Sequence, residues 1–153
     1  MTMILRSSLL AVLFILLAPL QVIAEPLWLV TPEETLKSNS AKPPFYPRVV
    51  PPLDAPVIDV ITPKLDGSIT SPTPILLKFV PKAPANVKPE SFKAYYGTFQ
   101  IDITNRLLGV AQVTAQGINL KEAALPKGSH KITLNVQDSE GRVGSKIIEF
   151  EIK

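Results

Sequence analysis

The 153-residue chain contains no cysteine and a single histidine. Without cysteine it can form no disulfide, no thiol nucleophile, no zinc–thiolate site and no lipid-modified cysteine. With one histidine, a multi-histidine metal site cannot be built within one protomer. The sequence therefore gives no reason to expect a metal site, a cofactor or a catalytic residue.

The chain also has only a small excess of charge of one sign. The chain has 16 lysines and arginines against 13 aspartates and glutamates, and the basic residues do not cluster. Binding to nucleic acid needs a concentrated basic patch. We therefore expect no nucleic-acid partner.

Long apolar runs are confined to the N-terminus, where Arg6 precedes the uncharged stretch Leu9 to Leu17. Val22 and Ala24 follow, in the third and first positions before the predicted cleavage point. This pattern is typical of a secretory signal peptide, so we expect residues 1–24 to be one, cleaved after Ala24. The alternative is an uncleaved membrane anchor, but the apolar stretch is shorter than the roughly 20 residues that span a bilayer.

No later segment is apolar enough to span a membrane, so we expect no membrane span in the mature chain. A secreted domain without cysteine suits a bacterial periplasm. The expected localisation is therefore periplasmic or secreted, in the bacterial envelope.

Residues 25–56 form a proline-rich arm. Thr31 is a good helix cap, Pro32 suits the first helical position, and Glu33 and Glu34 favour the positive end of the helix dipole. These residues predict a short helix near 32–39. Six prolines between residues 43 and 56 predict an extended, largely polyproline II conformation after it.

Three roles for the arm stay open at this point. It is a spacer, or its aromatic residues Trp28, Phe45 and Tyr46 bind a partner, or those residues pack back onto the following domain. Exposed aromatic side chains on a stiff chain lose little entropy on binding. We therefore take these three as candidate binding residues.

From Val57 onward the apolar residues alternate with polar ones. The clearest strand is 130–137, where one face carries His130, Ile132, Leu134 and Val136. Similar alternation occurs over 75–79, 99–103 and 148–152, while 118–125 predicts a strand end and one helical turn. One dry and one wet face indicate antiparallel sheets over a single core. Residues 57–153 are therefore predicted to form an all-β antiparallel β-sandwich of about seven strands.

Prolines and glycines bound these strands in a specific arrangement. It comprises a first strand flanked by Pro56 and Pro63, Gly67 and Ser71-Pro72 before the second strand, and Leu125-Pro126-Lys127-Gly128-Ser129-His130 before a strand that ends at Asp138 and Gly141. Because of this arrangement of prolines and glycines, residues 57–153 resemble the bacterial immunoglobulin-like or fibronectin type III-like domains of exported proteins. The resemblance implies an immunoglobulin-like architecture and no particular activity. His130 stands where such domains often carry a tyrosine that bonds back to the backbone.

Tyr95 is the candidate binding residue within the domain. On a strand, Tyr95 and Lys93 face one side, whereas Phe92, Ala94 and Tyr96 face the other. Tyr95 on an open face can stack on a sugar ring or a peptide; the alternative is an ordinary solvent-facing tyrosine.

Two further groups have structural interpretations that we prefer. His130 is interpreted as a core or corner histidine that donates to a nearby carbonyl, because no nucleophile motif accompanies it. Asp138 and Glu140, with Asp66 or Asp102, are oxygen ligands of the kind that calcium uses. However, Asp138 followed by Gly141 is more typical of a turn.

These patterns predict a non-enzymatic exported envelope protein that binds or scaffolds through its arm or a sandwich edge. The first alternative is an accessory module that binds carbohydrate or peptidoglycan, using Tyr95, Tyr96 or Trp28. The second is a small hydrolase, for which the sequence offers no motif. The partner is thus an envelope protein or a cell-wall glycan.

Overall fold

The computed structural model describes residues 27–42 and 52–153. The predicted signal peptide and its cleavage point lie outside the described residues, as do Phe45 and Tyr46. Within the described ranges, no helix has the length and apolar character needed to cross a membrane.

Eight strands make up about half of the described chain, one more than predicted. They are β1 (Val57–Thr62), β2 (Thr73–Val80), β3 (Val87–Tyr96), β4 (Ile101–Asp102), β5 (Gln112–Thr114), β6 (Gly117–Ala123), β7 (Gly128–Asp138) and β8 (Val143–Ile152). The first sheet has the order β1-β2-β6-β5 and the second the order β4-β3-β7-β8. All neighbouring strands are antiparallel, which confirms the prediction of an all-β sandwich.

The core lies between the two sheets and follows the predicted alternation. On β7, the buried face carries His130, Ile132, Leu134 and Val136, while Lys131 is exposed. β7 pairs with β8 without a break, from Gly128 opposite Ile152 to Gln137 opposite Val143. The buried residues of β2 and β8 complete the core from both sheets: Ile75, Leu77, Phe79, Ile148, Phe150 and Ile152.

Two helices accompany the sheets. Helix α1 (Pro32–Ser40) starts where the capping pattern predicts. The Thr31 hydroxyl accepts a hydrogen bond from the Glu34 N–H, and the Glu34 carboxylate accepts one from the Thr31 N–H. This reciprocal arrangement satisfies two backbone donors that a helix start otherwise leaves unpaired.

The strand predicted over 99–103 is present only in part, as β4, and helix α2 (Thr104–Leu108) follows it directly. Gln100 adopts a positive φ of 51°, which ends extended structure before it. The Asp102 carboxylate then accepts a hydrogen bond from the Thr104 N–H at 2.8 Å and turns the chain into the helix. Only Ile101–Asp102 remains as strand β4.

The helical turn predicted within 118–125 is also absent. β6 runs through Gly117–Ala123, and Ala124 pairs with Trp28 in a parallel bridge. The small residues at 123 and 124 are extended because a separate segment of the chain lies beside them.

Candidate functional site

Residues 27–42, here called the N-terminal segment, pack onto the sandwich. The Leu29 N–H donates to the Ala124 carbonyl oxygen at 3.0 Å. Leu29 and Val30 belong to the hydrophobic core, with 4% and 0% of their surfaces exposed. For this part of the arm, the structure therefore shows packing onto the domain.

Polar contacts hold α1 against the start of β7 and against the turn that follows β3. The Asn39 side-chain amide donates to the Ser129 carbonyl oxygen at 3.1 Å. The Ser38 hydroxyl accepts a hydrogen bond from the Thr98 N–H at 3.0 Å. Gly97 permits this approach, because its φ is +68° and a Cβ there would collide with the Ser38 side chain.

An ion pair fastens α1 to α2. Both terminal nitrogens of Arg106 donate to the two carboxylate oxygens of Glu34, each at 2.8 Å. The hydrogen bonds from Arg106 lower the pKa of Glu34 to about 2, although partial burial opposes this shift. Glu34 also accepts the capping bond from Thr31, so one carboxylate both caps α1 and binds α2.

A buried polar chain lies beneath α1. The His130 Nε2 lies 2.7 Å from the Pro126 carbonyl oxygen, which can only accept, so Nε2 donates. The Tyr96 hydroxyl lies 3.0 Å from His130 Nδ1 and 3.1 Å from the Thr35 hydroxyl. Burial lowers the pKa of His130, although the bond to Pro126 opposes that shift. The interpretation of His130 as a structural histidine that donates to a nearby carbonyl is confirmed, and the residue is part of the buried interior.

An open groove of about 950 Å³ lies beside the first residues of the N-terminal segment. Its lining includes Leu27, Trp28 and Leu29 of the N-terminal segment and Arg106, Gly109 and Val110, which lie in and just after α2. Trp28 is half-buried, whereas Leu27 and Val110 are 78% and 44% exposed at the rim. We call this the Trp28 groove. Its lining is mostly apolar, and its charged side chains are Arg106 and Glu122.

A gap in the pairing of β6 opens this groove. β5 pairs with β6 only over Gly117–Asn119, and Trp28 pairs next, at Ala124. On the opposite edge, the Leu125 N–H donates to the Ser71 hydroxyl. Since successive strand residues direct their N–H groups to opposite edges, the Trp28 bridge lies on the β5 side. Between the two pairings, the β6 residues Leu120, Glu122 and Ala123 line the groove.

Tyr95 lies away from this groove. It is half-buried on the outer face of the second sheet, where its cross-strand neighbours are Asp102 on β4 and Thr133 on β7. Trp28 is beside β6 of the first sheet, so the structure does not bring Trp28 and Tyr95 into one site.

Tyr96 cannot act as a sugar-stacking residue. Its side chain is fully buried, and its hydroxyl bonds to groups of α1 and β7. The strand alternation predicted that Tyr96 points inward, and the structure confirms it. Because the ring is buried, Tyr96 is removed from the residues proposed to bind carbohydrate.

Asp138 forms a turn. Its carboxylate accepts hydrogen bonds from the backbone N–H groups of Glu140 and Arg142 and from the Arg142 guanidinium, at 3.0, 2.9 and 2.7 Å. Gly141 supplies the positive φ of 78°. Burial alone would raise the pKa of Asp138, but these hydrogen bonds outweigh it and lower the pKa. Throughout the described ranges, no cluster of three or more histidine, aspartate or glutamate side chains is arranged to hold a metal.

The chain matches no protein-family model, no curated protein and no solved structure. Its function is therefore inferred from its own geometry. Sequence reasoning selected Trp28 but missed Val110 and Pro72, which line the same groove. Val110 and Pro72 come from separate parts of the chain. The one local signal was the apolar run Leu108-Gly109-Val110 at the end of α2, where Leu108 and Val110 are exposed.

Proposed function

We propose that this chain is a non-enzymatic exported binding module of the bacterial envelope, and that it binds a protein partner through the Trp28 groove. The observation that carries the proposal is the groove itself, with a half-buried tryptophan and exposed apolar side chains at its rim. Mostly apolar clefts with few polar groups are the usual form of binding sites. Tryptophan is also enriched among the residues that dominate binding energy.

The strand order supports an immunoglobulin-like architecture. Constant-type immunoglobulin domains carry strands A, B, E and D in one sheet and C, F and G in the other. In this chain β1, β2, β6 and β5 follow the first order, and β3, β7 and β8 follow the second, with β4 added beside β3. The bond from His130 to the carbonyl of Pro126 parallels the tyrosine corner of such domains.

The burial of the histidine supports a non-enzymatic role. The only histidine of the chain is buried, and hydrogen-bond partners lie at both ring nitrogens. A general base needs a nitrogen within reach of a substrate proton. Export is supported by the leader pattern of residues 1–24.

An apolar peptide segment fits the Trp28 groove better than a sugar does. Apolar residues outnumber polar ones in its lining, and Leu27, Pro72 and Val110 are exposed. The polar side chains of the lining are Thr31, Ser71, Asn105, Arg106 and Glu122. The feature that favours a glycan-binding module instead is Tyr95, beside Lys93 and Asp102 on the outer face of the second sheet.

The two candidates are separated by binding measurements on the mature protein with two probes, an array of apolar peptides and an array of cell-wall glycans. Trp28 is the only tryptophan, so its fluorescence reports directly on the groove. We expect peptide binding that shifts Trp28 emission and is lost in Val110→Asp. Leu36→Asp, which places the same charge on an exposed residue of α1, should bind normally. Glycan binding that is abolished by Tyr95→Ala and unaffected by Val110→Asp would favour the alternative.

Export is tested by the intact mass of the protein recovered from cells. We expect a chain that begins at Glu25, located in the periplasm or the medium. A membrane-bound protein that retains residues 1–24 would contradict this part of the proposal.

A further inference from the structure

The outer face of β1 and β2 carries a pattern that is complementary to itself. Ile58 and Phe79 pair across the two strands and point into the core. The pairs on either side, Val57 with Val80 and Asp59 with Lys78, therefore point outward, because strand side chains alternate between faces. Further along, Ile61 and Leu76 line a common groove on this face. We call these six residues the β1–β2 face.

The β1–β2 face is exposed and its charges are unpaired. Val57 is 54% exposed, and Ile61, Leu76 and Val80 are each 39% exposed. Asp59 and Lys78 are exposed as well. They lie directly opposite each other, yet none of the ion pairs among the described residues joins them.

We propose that the β1–β2 face binds a second copy of this chain in a two-fold symmetric dimer. A two-fold axis that runs parallel to the strands, between β1 and β2, exchanges the two strands of the facing copies. β1 of one copy then lies over β2 of the other. A β1 residue therefore faces the same β2 residue with which it pairs inside its own copy, but on the second copy. Asp59 of each copy meets Lys78 of the other, and Val57 meets Val80. Leu76 pairs with Thr62 beyond an irregularity in the register, so Leu76 of one copy lies near Ile61 of the other, next to that residue.

The charge pattern is what selects a second copy over an unlike partner. A two-fold interface uses the same patch on both subunits, so each contact occurs twice. On this face both symmetry-related ion pairs are attractive and both apolar contacts are matched. Beyond the apolar residues, the groove of about 590 Å³ over the same sheet is lined by the uncharged side chains of Gln112, Thr114 and Asn119, which would form a polar rim.

The test is sedimentation velocity of the mature protein across a wide concentration range, with charge-reversal variants. We expect a monomer–dimer equilibrium for the natural chain. Asp59→Lys alone and Lys78→Asp alone should each weaken the dimer at least about tenfold, because each places like charges opposite each other twice. An equimolar mixture of the two single variants should form a mixed dimer, and the double variant Asp59→Lys with Lys78→Asp should dimerise like the natural chain.

Three controls keep the outcome interpretable. Circular dichroism should be unchanged in all variants, because both side chains are exposed. At a concentration at which every variant is monomeric, the melting temperature should fall only slightly for the two single reversals, which place like charges opposite each other within one copy, and should be restored in the double variant. Lys93→Asp, a reversal on the outer face of the second sheet, should leave the dimer intact. Val110→Asp should also leave it intact, so that failure of the Trp28 groove and failure of the dimer are independent results. A monomer at every concentration, or a dimer indifferent to both single reversals, would overturn the proposal.

Discussion

Strand β7 and the N-terminal segment both contribute to the core, but they do so by different routes. In β7 every second residue is buried along the whole strand, and its unbroken pairing with β8 fixes each direction. The N-terminal segment buries only Leu29 and Val30 as core residues, and a single bridge to Ala124 positions them. Burial in β7 thus follows from a local pattern, whereas burial of the segment depends on contacts that are distant in sequence.

The comparison is tested most severely by deleting residues 25–42 from the mature chain. Burial of a leucine or a valine is worth about 1.5–3 kcal/mol each, and the contacts of α1 are lost as well. Since a small domain is stable by only about 5–15 kcal/mol, we expect thermal melting at a much lower temperature or loss of cooperativity. Leu36→Ala, on the exposed side of α1, should leave the melting temperature unchanged. If the truncated chain melts like the full one, the segment contributes nothing to the core.

Next in size is Leu134→Ala on β7. Leu134 is almost completely buried, and truncation of such a leucine costs about 2–5 kcal/mol through lost transfer energy and a cavity. Its neighbour Thr133 faces the outside and is half-buried, so Thr133→Ala should cost less than about 1 kcal/mol. Denaturant unfolding monitored by circular dichroism measures both. Equal losses for the two variants would contradict the alternation on β7.

The buried polar chain predicts an acid-sensitive stability. Because burial lowers the pKa of His130 below its ordinary value of 6.5, the folded protein binds fewer protons than the unfolded chain just below that pH. Stability is therefore complete above about pH 6.5 and falls as the pH decreases toward the lower folded pKa. Melting temperatures between about pH 7.5 and pH 5 should show this decline.

The matched variant is His130→Gln, which removes the titrating group. It should be less stable at neutral pH but show no decline over that interval. A second decline, common to both proteins, is expected in stronger acid as Glu34 is protonated, because its pKa is lowered from 4.5 to about 2. A natural chain whose melting temperature stays flat from neutral pH to pH 5 would show that His130 does not titrate differently in the two states.

The smallest effect is expected at the start of α1. Thr31→Ala removes the hydroxyl that accepts from the Glu34 N–H, and loss of such a cap costs about 1 kcal/mol. Glu33→Ala leaves the cap intact; it breaks the exposed pair with Lys37 and removes one charge near the helix start, and it should cost less, about 0.5 kcal/mol. Urea unfolding of both variants should therefore separate the cap from the surface pair. A loss for Glu33→Ala as large as that for Thr31→Ala would contradict this ranking.

The contrast between local patterns and contacts that are distant in sequence also explains which features were predictable from the sequence. The facing of Ile132, Leu134 and Val136 was predictable because strand periodicity is local. The turn at Asp138 and the start of α1 at Thr31 were predictable because capping and turn chemistry act within four residues. Strand alternation was enough to predict two packed antiparallel sheets, but not the number of strands in them.

The errors lie where distant segments meet. The strand expected over 99–103 is interrupted because Gln100 adopts a positive φ and Asp102 turns the chain into α2. Ala124 is extended because Trp28 pairs with it. In the candidate site, Trp28 was selected for its aromatic ring, but the groove needs Val110 and Pro72 from other elements. No local pattern records that these residues are neighbours.

The docking of the N-terminal segment also predicts an order of folding. Its hydrogen bonds between Thr35 and Tyr96, between Glu34 and Arg106 and between Asn39 and Ser129 span 61, 72 and 90 residues of sequence. Contacts that close such long loops form slowly, and β7 must be in place before Ser129 can accept from Asn39. The part of the described chain that is synthesised first is therefore the part that docks last. Substitutions in it should accelerate unfolding and leave the refolding rate nearly unchanged.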